Sequence, residues 1–224
     1  MDYPDRITPS SDAANEPLYH SDEPALVPVA TDQLIEDQAE QTGSKIGPIL
    51  YEIVETLLLA VVIWLAVNFT TARYVVEGQS MEPNLHTGQF LIVSRLAYMN
   101  IAGLSLGEPH RGDIIVFDFP NNPSDDYVKR IIGLPGETVM IDQAGNVFVD
   151  GQRIDEPYLN GEPYSNRIGT WEVPEGSYFV VGDNRNHSSD SRSWGMLARK
   201  YIVGKAWISY WPPQYWGVIP HYDY

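Results

Sequence analysis

One run in the chain admits very few environments: "PILYEIVETLLLAVVIWLAVNF", residues 48–69. Its centre, 57–67, is unbroken apolar sequence, with Glu52 and Glu55 confined to the first turns. As a helix rising about 1.5 Å per residue, the stretch crosses a hydrocarbon layer of about 30 Å. A helix apolar on every side has two homes, a bilayer or the middle of a large soluble core. The run predicts one transmembrane helix over 48–70. It starts late, behind acidic sequence and without a basic leader region, which is not the layout of a cleaved signal peptide. Lys45 on one side and Arg73 on the other leave the positive-inside rule tied.

The 46 residues before this span's flank carry ten acids against Arg6 and Lys45, with no period of 2 or 3.6. Such sequence buries too little apolar surface to offset its ordering entropy, so residues 1–47 are expected to be a disordered acidic tail, the other reading being an acidic docking motif. The net charge of −16 argues against a nucleic-acid partner, because phosphates would repel the protein. Cysteine is absent, which removes disulfides, thiolate zinc sites and a cysteine nucleophile together. The five histidines are scattered without metal-ligand spacing, so a histidine-rich metal site is not expected.

After the span the texture becomes short runs rich in Val, Ile, Phe and Tyr: "YVVEG", "QFLIVSRL", "GDIIVFDF", "YVKRIIG", "SYFVVGD" and "KYIVGKAWISYW". Gly, Pro, Asn and Asp clusters separate them, and "DQAGN" and "DG" read as hairpin turns. The only helical pattern left is the short "LARKYI". The expectation is a membrane-anchored, mainly β domain over about 71–220.

Three stretches of that domain carry chemistry. In "EGQSMEPNL", 77–85, Ser80 follows a glycine turn at the end of a strand. By itself the stretch favours a serine bonding its own turn over a presented nucleophile. A nucleophile needs a base within hydrogen-bond reach, and both His187 and Lys129 are candidates. In "DYVKRIIG" the strand period puts Lys129 on one face with Tyr127 and Ile131. Desolvation among such neighbours disfavours the charged amine, and a neutral lysine can take a serine's proton. The alternative is a lysine snorkelling at a sheet edge. The third stretch, "GDNRNHSSDSRSWG" (182–195), has no aliphatic residue, yet follows the apolar "YFVV" directly. Asp–Arg pairs could brace it, and a hydroxyl there could orient an amine.

Together these stretches resemble the type I signal peptidases, membrane-bound Ser–Lys peptidases that remove signal peptides from exported proteins. "GQSMEPNL" looks like the nucleophile box, "RGDIIVF" the strand after it, "YVKRIIGLPGE" the lysine box and "GDNRNHSSDSRSWG" the last box, in order behind an N-terminal span. The resemblance implies a mainly β fold, a β-barrel or sheet catalytic domain with an inserted second β region at about 138–178. It implies Ser80 as nucleophile, Lys129 as general base and Ser188 as the hydroxyl that orients the amine. Asp183, Asp190 and Arg192 would brace the loop, Arg130 would support the lysine strand, and Met81 would sit beside the nucleophile at the cleft. It also implies no metal or cofactor, and a single-pass plasma-membrane protein with a cytoplasmic N-terminus and an extracytoplasmic catalytic domain.

Two positions depart from the family pattern. Some relatives carry a serine at Gly78, whose hydroxyl helps hold the oxyanion, and Glu77 stands where many have proline. Signal peptides end in small residues, and an extended peptide can pair with an edge strand, which makes Val76 and Val128 expected walls of shallow pockets. The expected partners are therefore preproteins with small residues before the cleavage site, and the lipid bilayer. A pilin-maturation peptidase, a self-cleaving repressor and a non-enzymatic anchored β module are the rival readings. The aromatic "SYWPPQYWGVIP" predicts either a lipid-headgroup contact or a cluster closing the core.

Overall fold

A computed structural model describes residues 31–101, 104–159 and 167–222, with side chains described from residue 47 onward except at 101 and 104. Residues 1–30, most of the expected disordered tail, lie outside the described residues. Helix α1 spans Thr31–Thr70, so the helix begins well before the expected boundary at 48. The physical reason is that "DQLIEDQAEQ" is rich in helix-favouring Leu, Glu, Gln and Ala, and extending a formed helix costs far less than nucleating one. The compact units divide inside α1, one ending at Thr56 and the other running Leu57–Tyr224. Gly47–Thr70 is long and apolar enough to cross a membrane, and none of it is buried.

The rest is mainly β. Strands β1 (Thr71–Val75), β2 (Phe90–Ser94), the short pair β3 (Asn100–Ile101) and β4 (Leu104–Ser105), β5 (Ile114–Phe119) and β6 (Asn122–Gly133) come first. Then come β7 (Thr138–Ile141), β8 (Val147–Val149), β9 (Gln152–Arg153) and β10 (Gly169–Glu172). The last are β11 (Ser177–Val181), β12 (Leu197–Ala198), β13 (Ile202–Trp211) and β14 (Gly217–Val218). One sheet has the order β1-β2-β13-β5-β6-β11-β12 with β14 beside β13, and a second has the order β10-β7-β8-β9. The large sheet is open, not a closed barrel: β1 and β12 are its two ends. The second sheet ends at Glu172, because β11 returns to pair with β6. "LARKYI" forms β12 and one 3-10 turn, Arg199–Tyr201, and the polar loop contains a one-turn helix α2, Ser191–Trp194.

Alternation along the strands sorts the apolar side chains into three clusters. Val76, Met81, Leu85, Leu91, Val93 and Ile114 form the one beneath the serine loop. Ile115, Phe117, Ile131, Val180 and Leu197 form another under β5, β6 and β11, and Ile132, Val139, Val147 and Phe179 join the second sheet to the first. Strand β6 contributes to two of them from its opposite faces, as a period of 2 requires.

Candidate active site

The serine loop is shaped at its base by backbone bonds and from within by burial. Val76 N–H donates to Gln89 O at 2.8 Å and Gly88 N–H to Val76 O at 2.9 Å, closing the loop. Met81 and Leu85, one turn apart, are buried in the core below, which leaves Ser80 at the rim. Met81 is 0% exposed, a correction to its expected place in the cleft: the apolar cluster under the loop takes the side chain inward. Gly78 has φ of 87°, a left-handed conformation that glycine adopts at little cost, and its carbonyl accepts from Thr87 Oγ1 at 2.9 Å. The backbone turn itself thus favours glycine where some relatives keep a serine.

Lys129 Nζ lies 2.7 Å from Ser80 Oγ and also donates to Val128 O at 2.7 Å. The lysine is 4% exposed, with its amine 5.4 Å from the Tyr127 ring on the same strand face. Burial pushes its pKa down to about 8, while the Asp190 and Asp183 carboxylates pull the other way. His187, the other candidate base, is exposed. A serine hydroxyl in direct contact with a desolvated amine is what separates a hydrolase from a module in which these residues merely turn the chain.

The next residue on β6 faces away. Arg130 donates from Nε and Nη2 to the two oxygens of Asp183 at 2.9 and 2.8 Å, and from Nη1 to Gly112 O at 2.8 Å. Both charged groups of this pair are almost completely buried, so removing either would strand the other. Asp183 Oδ2 also accepts from Asn84 Nδ2 at 2.8 Å, and Asn184 N–H donates to the Ser80 carbonyl at 3.0 Å. The serine is therefore tied to the 182–195 loop through its own backbone. Asp190 caps α2 and pairs with Arg192 at 2.8 and 2.7 Å, and it also accepts from Gly182 N–H at 3.1 Å. Burial alone would raise the Asp190 pKa, but the Arg192 bonds outweigh it and hold the carboxyl low.

Ser188 does not bond the amine. Its Oγ is buried next to the Asp190 carboxylate, outside hydrogen-bond geometry. Gly182 is packed so tightly that a Cβ there would overlap both Ser188 Oγ and the Ser80 carbonyl. Four further residues at the site had no place in the sequence reading. Asn84 bridges Asp183 and the Tyr158 carbonyl, the Tyr158 ring stacks 3.9 Å from the Arg130 guanidinium, and Arg185 forms a buried pair with Glu156. Arg185 stands in the "GDNR" motif and Asn84 in the serine box, so position within a motif was the available signal.

A cleft of about 770 Å³ opens beside Ser80, lined by residues 73–77 and 124–129 and by Leu91, Val116 and Ser189. Val76 and Val128 are both on its walls. Strand β1 ends the large sheet, and β11 pairs with β6 only from Arg130 onward, so both walls present open strand edges. Among the described residues no cluster of His, Cys, Asp and Glu could hold a metal ion.

A helix apolar and long enough to cross a membrane, followed by a mainly β domain in which a serine hydroxyl meets a buried lysine amine, points to the class of the serine hydrolases. The family model described as signal peptidase, peptidase S26, matches residues 50–211. A probable signal peptidase I-2 of Synechocystis sp. is 34% identical over 189 residues, 81% of this chain and 83% of that one. A signal peptidase I of Bacillus caldolyticus is 41% identical over 159 residues, covering 64% of this chain and 81% of its own, and one of Pseudomonas aeruginosa is 30% identical over 202. The chain belongs to the signal peptidase family, the membrane serine endopeptidases that remove signal peptides.

Proposed function

We propose that Ser80 is the nucleophile and Lys129 the general base of this signal peptidase, and the observation that carries the assignment is the 2.7 Å contact between Oγ and Nζ in a buried setting. The neutral amine accepts the proton of the Ser80 hydroxyl as Oγ attacks the scissile carbonyl carbon. The oxyanion is received by the Ser80 backbone N–H and a second donor. The lysine ammonium then gives its proton to the leaving amine, and the mature protein departs. Water, deprotonated by the same amine, hydrolyses the acyl-serine and frees the signal peptide. Asp183, Asp190, Arg192 and Arg130 hold the two reacting groups in place.

The substrate lies extended between the edges of β1 and β6, with small side chains before the cleavage site set against Val76 and Val128. The chain is a single-pass protein of the plasma membrane, N-terminus cytoplasmic and the domain at about 71–220 outside. Trp211, at the end of β13, and Trp216 and Val218 beyond it are exposed, and they meet the lipid headgroups.

Detergent-solubilised protein incubated with a preprotein, followed by sequencing of the new N-terminus, tests this directly. Ser80→Ala and Lys129→Arg should both lose all but a trace of cleavage, since arginine stays protonated and cannot act as a base. His187→Ala should cleave nearly as well as the wild type. Activity retained in Lys129→Arg, or lost in His187→Ala, would overturn the assignment.

A further inference from the structure

Beyond β13 the chain runs back beneath the catalytic strands. Ile219 N–H donates to Trp207 O at 2.9 Å, and its side chain enters the cluster that holds Val76, Met81 and Leu85. His221 follows, its Nδ1 accepting the Ile114 N–H at 3.2 Å and its Nε2–H donating to Ala206 O at 2.9 Å. Ile114 is the cross-strand partner of Arg130, so the imidazole fixes the rung on which that arginine sits. Around it, Asp113 accepts from Tyr98 Oη at 2.6 Å and pairs with Lys205 at 2.5 Å, while His221 Nδ1 stands 3.6 Å from the same carboxylate. Burial pushes the His221 pKa down to about 4, leaving a neutral ring that does not titrate where the enzyme works.

Tyr222 completes the arrangement. Its ring lies 5.1 Å from that of Tyr158, and the Arg130 guanidinium carbon is 3.9 Å from the Tyr158 ring and 5.4 Å from the Tyr222 ring. Aromatic faces against a guanidinium attract it and exclude water from its ion pair. We propose that segment 217–222 is a positioning element of the active site: Tyr222, with Tyr158, encloses Arg130, and the Arg130–Asp183–Asn84 bonds transmit that constraint to the Ser80 loop. None of the segment lines the cleft, so it acts on the geometry of the reacting groups and not on substrate contacts. This rests on the assignment of Ser80 and Lys129.

The experiment measures kcat and KM against pH for the full chain in detergent, with a peptide spanning a signal cleavage site, and records thermal unfolding alongside. In Tyr222→Ala, kcat should fall about tenfold or more with KM nearly unchanged, as a misplaced nucleophile requires. The inflection of kcat/KM should also move to higher pH: with Arg130 held less firmly, Asp183 is less neutralised, and its charge raises the Lys129 pKa. Tyr222→Phe, which keeps the ring, should restore both. Tyr222→Leu, which keeps bulk without an aromatic face, should behave as Tyr222→Ala and serves if the alanine variant does not fold. The proposal is overturned if the alanine and leucine variants keep the wild-type kcat and inflection whatever their melting temperatures, or if Tyr222→Phe is as impaired as they are. A wild-type protein no more active than Ser80→Ala overturns the dyad assignment, and the inference with it.

Discussion

Replacing Lys129 by methionine should make the protein more stable near neutral pH while destroying its activity. The amine's pKa is pushed from 10.5 to about 8 by burial, which corresponds to about 3 kcal/mol of penalty on the charged form. Below about pH 8 the amine is protonated in both folded and unfolded chains, and the folded state carries the whole penalty. Between about pH 8 and 10.5 only the unfolded chain holds the proton, so wild-type stability climbs with pH, and above that window the penalty is gone. Methionine has similar volume and no charge at any pH. It forfeits the bonds to Ser80 and Val128, a loss of about 1 kcal/mol each at every pH. The diagnostic quantity is therefore the change with pH in the gap between variant and wild type. Thermal unfolding in detergent micelles, followed by tryptophan fluorescence, should show the gap shifting by about 6–12 °C between pH about 6.5 and about 10.5, at roughly 2–4 °C per kcal/mol for a domain of this size. The kcat/KM profile of the wild type should inflect in the same window, near pH 8, rising with pH. A gap that is the same at both pH values would refute the desolvated amine, and with it the physical basis for a lysine base.

Gly182→Ala should lower kcat more than tenfold and cost about 1–3 kcal/mol of stability, because its Cβ overlaps the Ser80 carbonyl and Ser188; peptide cleavage and thermal unfolding check the two parts, and an unimpaired variant would show that the loop has room to yield. The domain without residues 1–70 should float with lipid vesicles, and Trp211→Ala/Trp216→Ala should weaken that flotation, since these side chains are 53% and 76% exposed. Equal flotation of both would move the lipid contact elsewhere.

The strands and the two faces of β6 could be read from the sequence because their signals are local. A period of 2 in "YVKRIIG" places Lys129 and Arg130 on opposite faces without knowledge of any neighbour. What surrounds them could not be read, because each partner comes from a distant segment: Asn84 meets Asp183 across 99 residues, and Ile114 meets His221 across 107. The misplacement of Met81 has the same origin. Adjacency to Ser80 says nothing about direction, and the apolar cluster beneath the loop decides it. The start of α1 was missed for another reason: low hydrophobicity predicts weak packing, but it does not prevent a helix from growing back out of an apolar span. In the aromatic segment Trp211 and Trp216 face out, and Tyr215 stacks on His86 at 4.7 Å while remaining exposed itself.

On the proposed Ser80–Lys129 assignment, the distance between the two residues along the chain also governs when the enzyme becomes dangerous. Ser80 and Lys129 are 49 residues apart, and the loop that anchors the Ser80 carbonyl starts at Gly182. As the polypeptide is made from its N-terminus, the serine emerges long before its partners exist. Until the sheet forms around β6 the lysine is hydrated, keeps a pKa near 10.5 and holds its proton, so it cannot activate anything. Unfolding restores the same inert state. Latency during synthesis, and silence after damage, are thus built into a base that becomes neutral only when it is buried: the nascent chain can pass among other membrane proteins without cutting them.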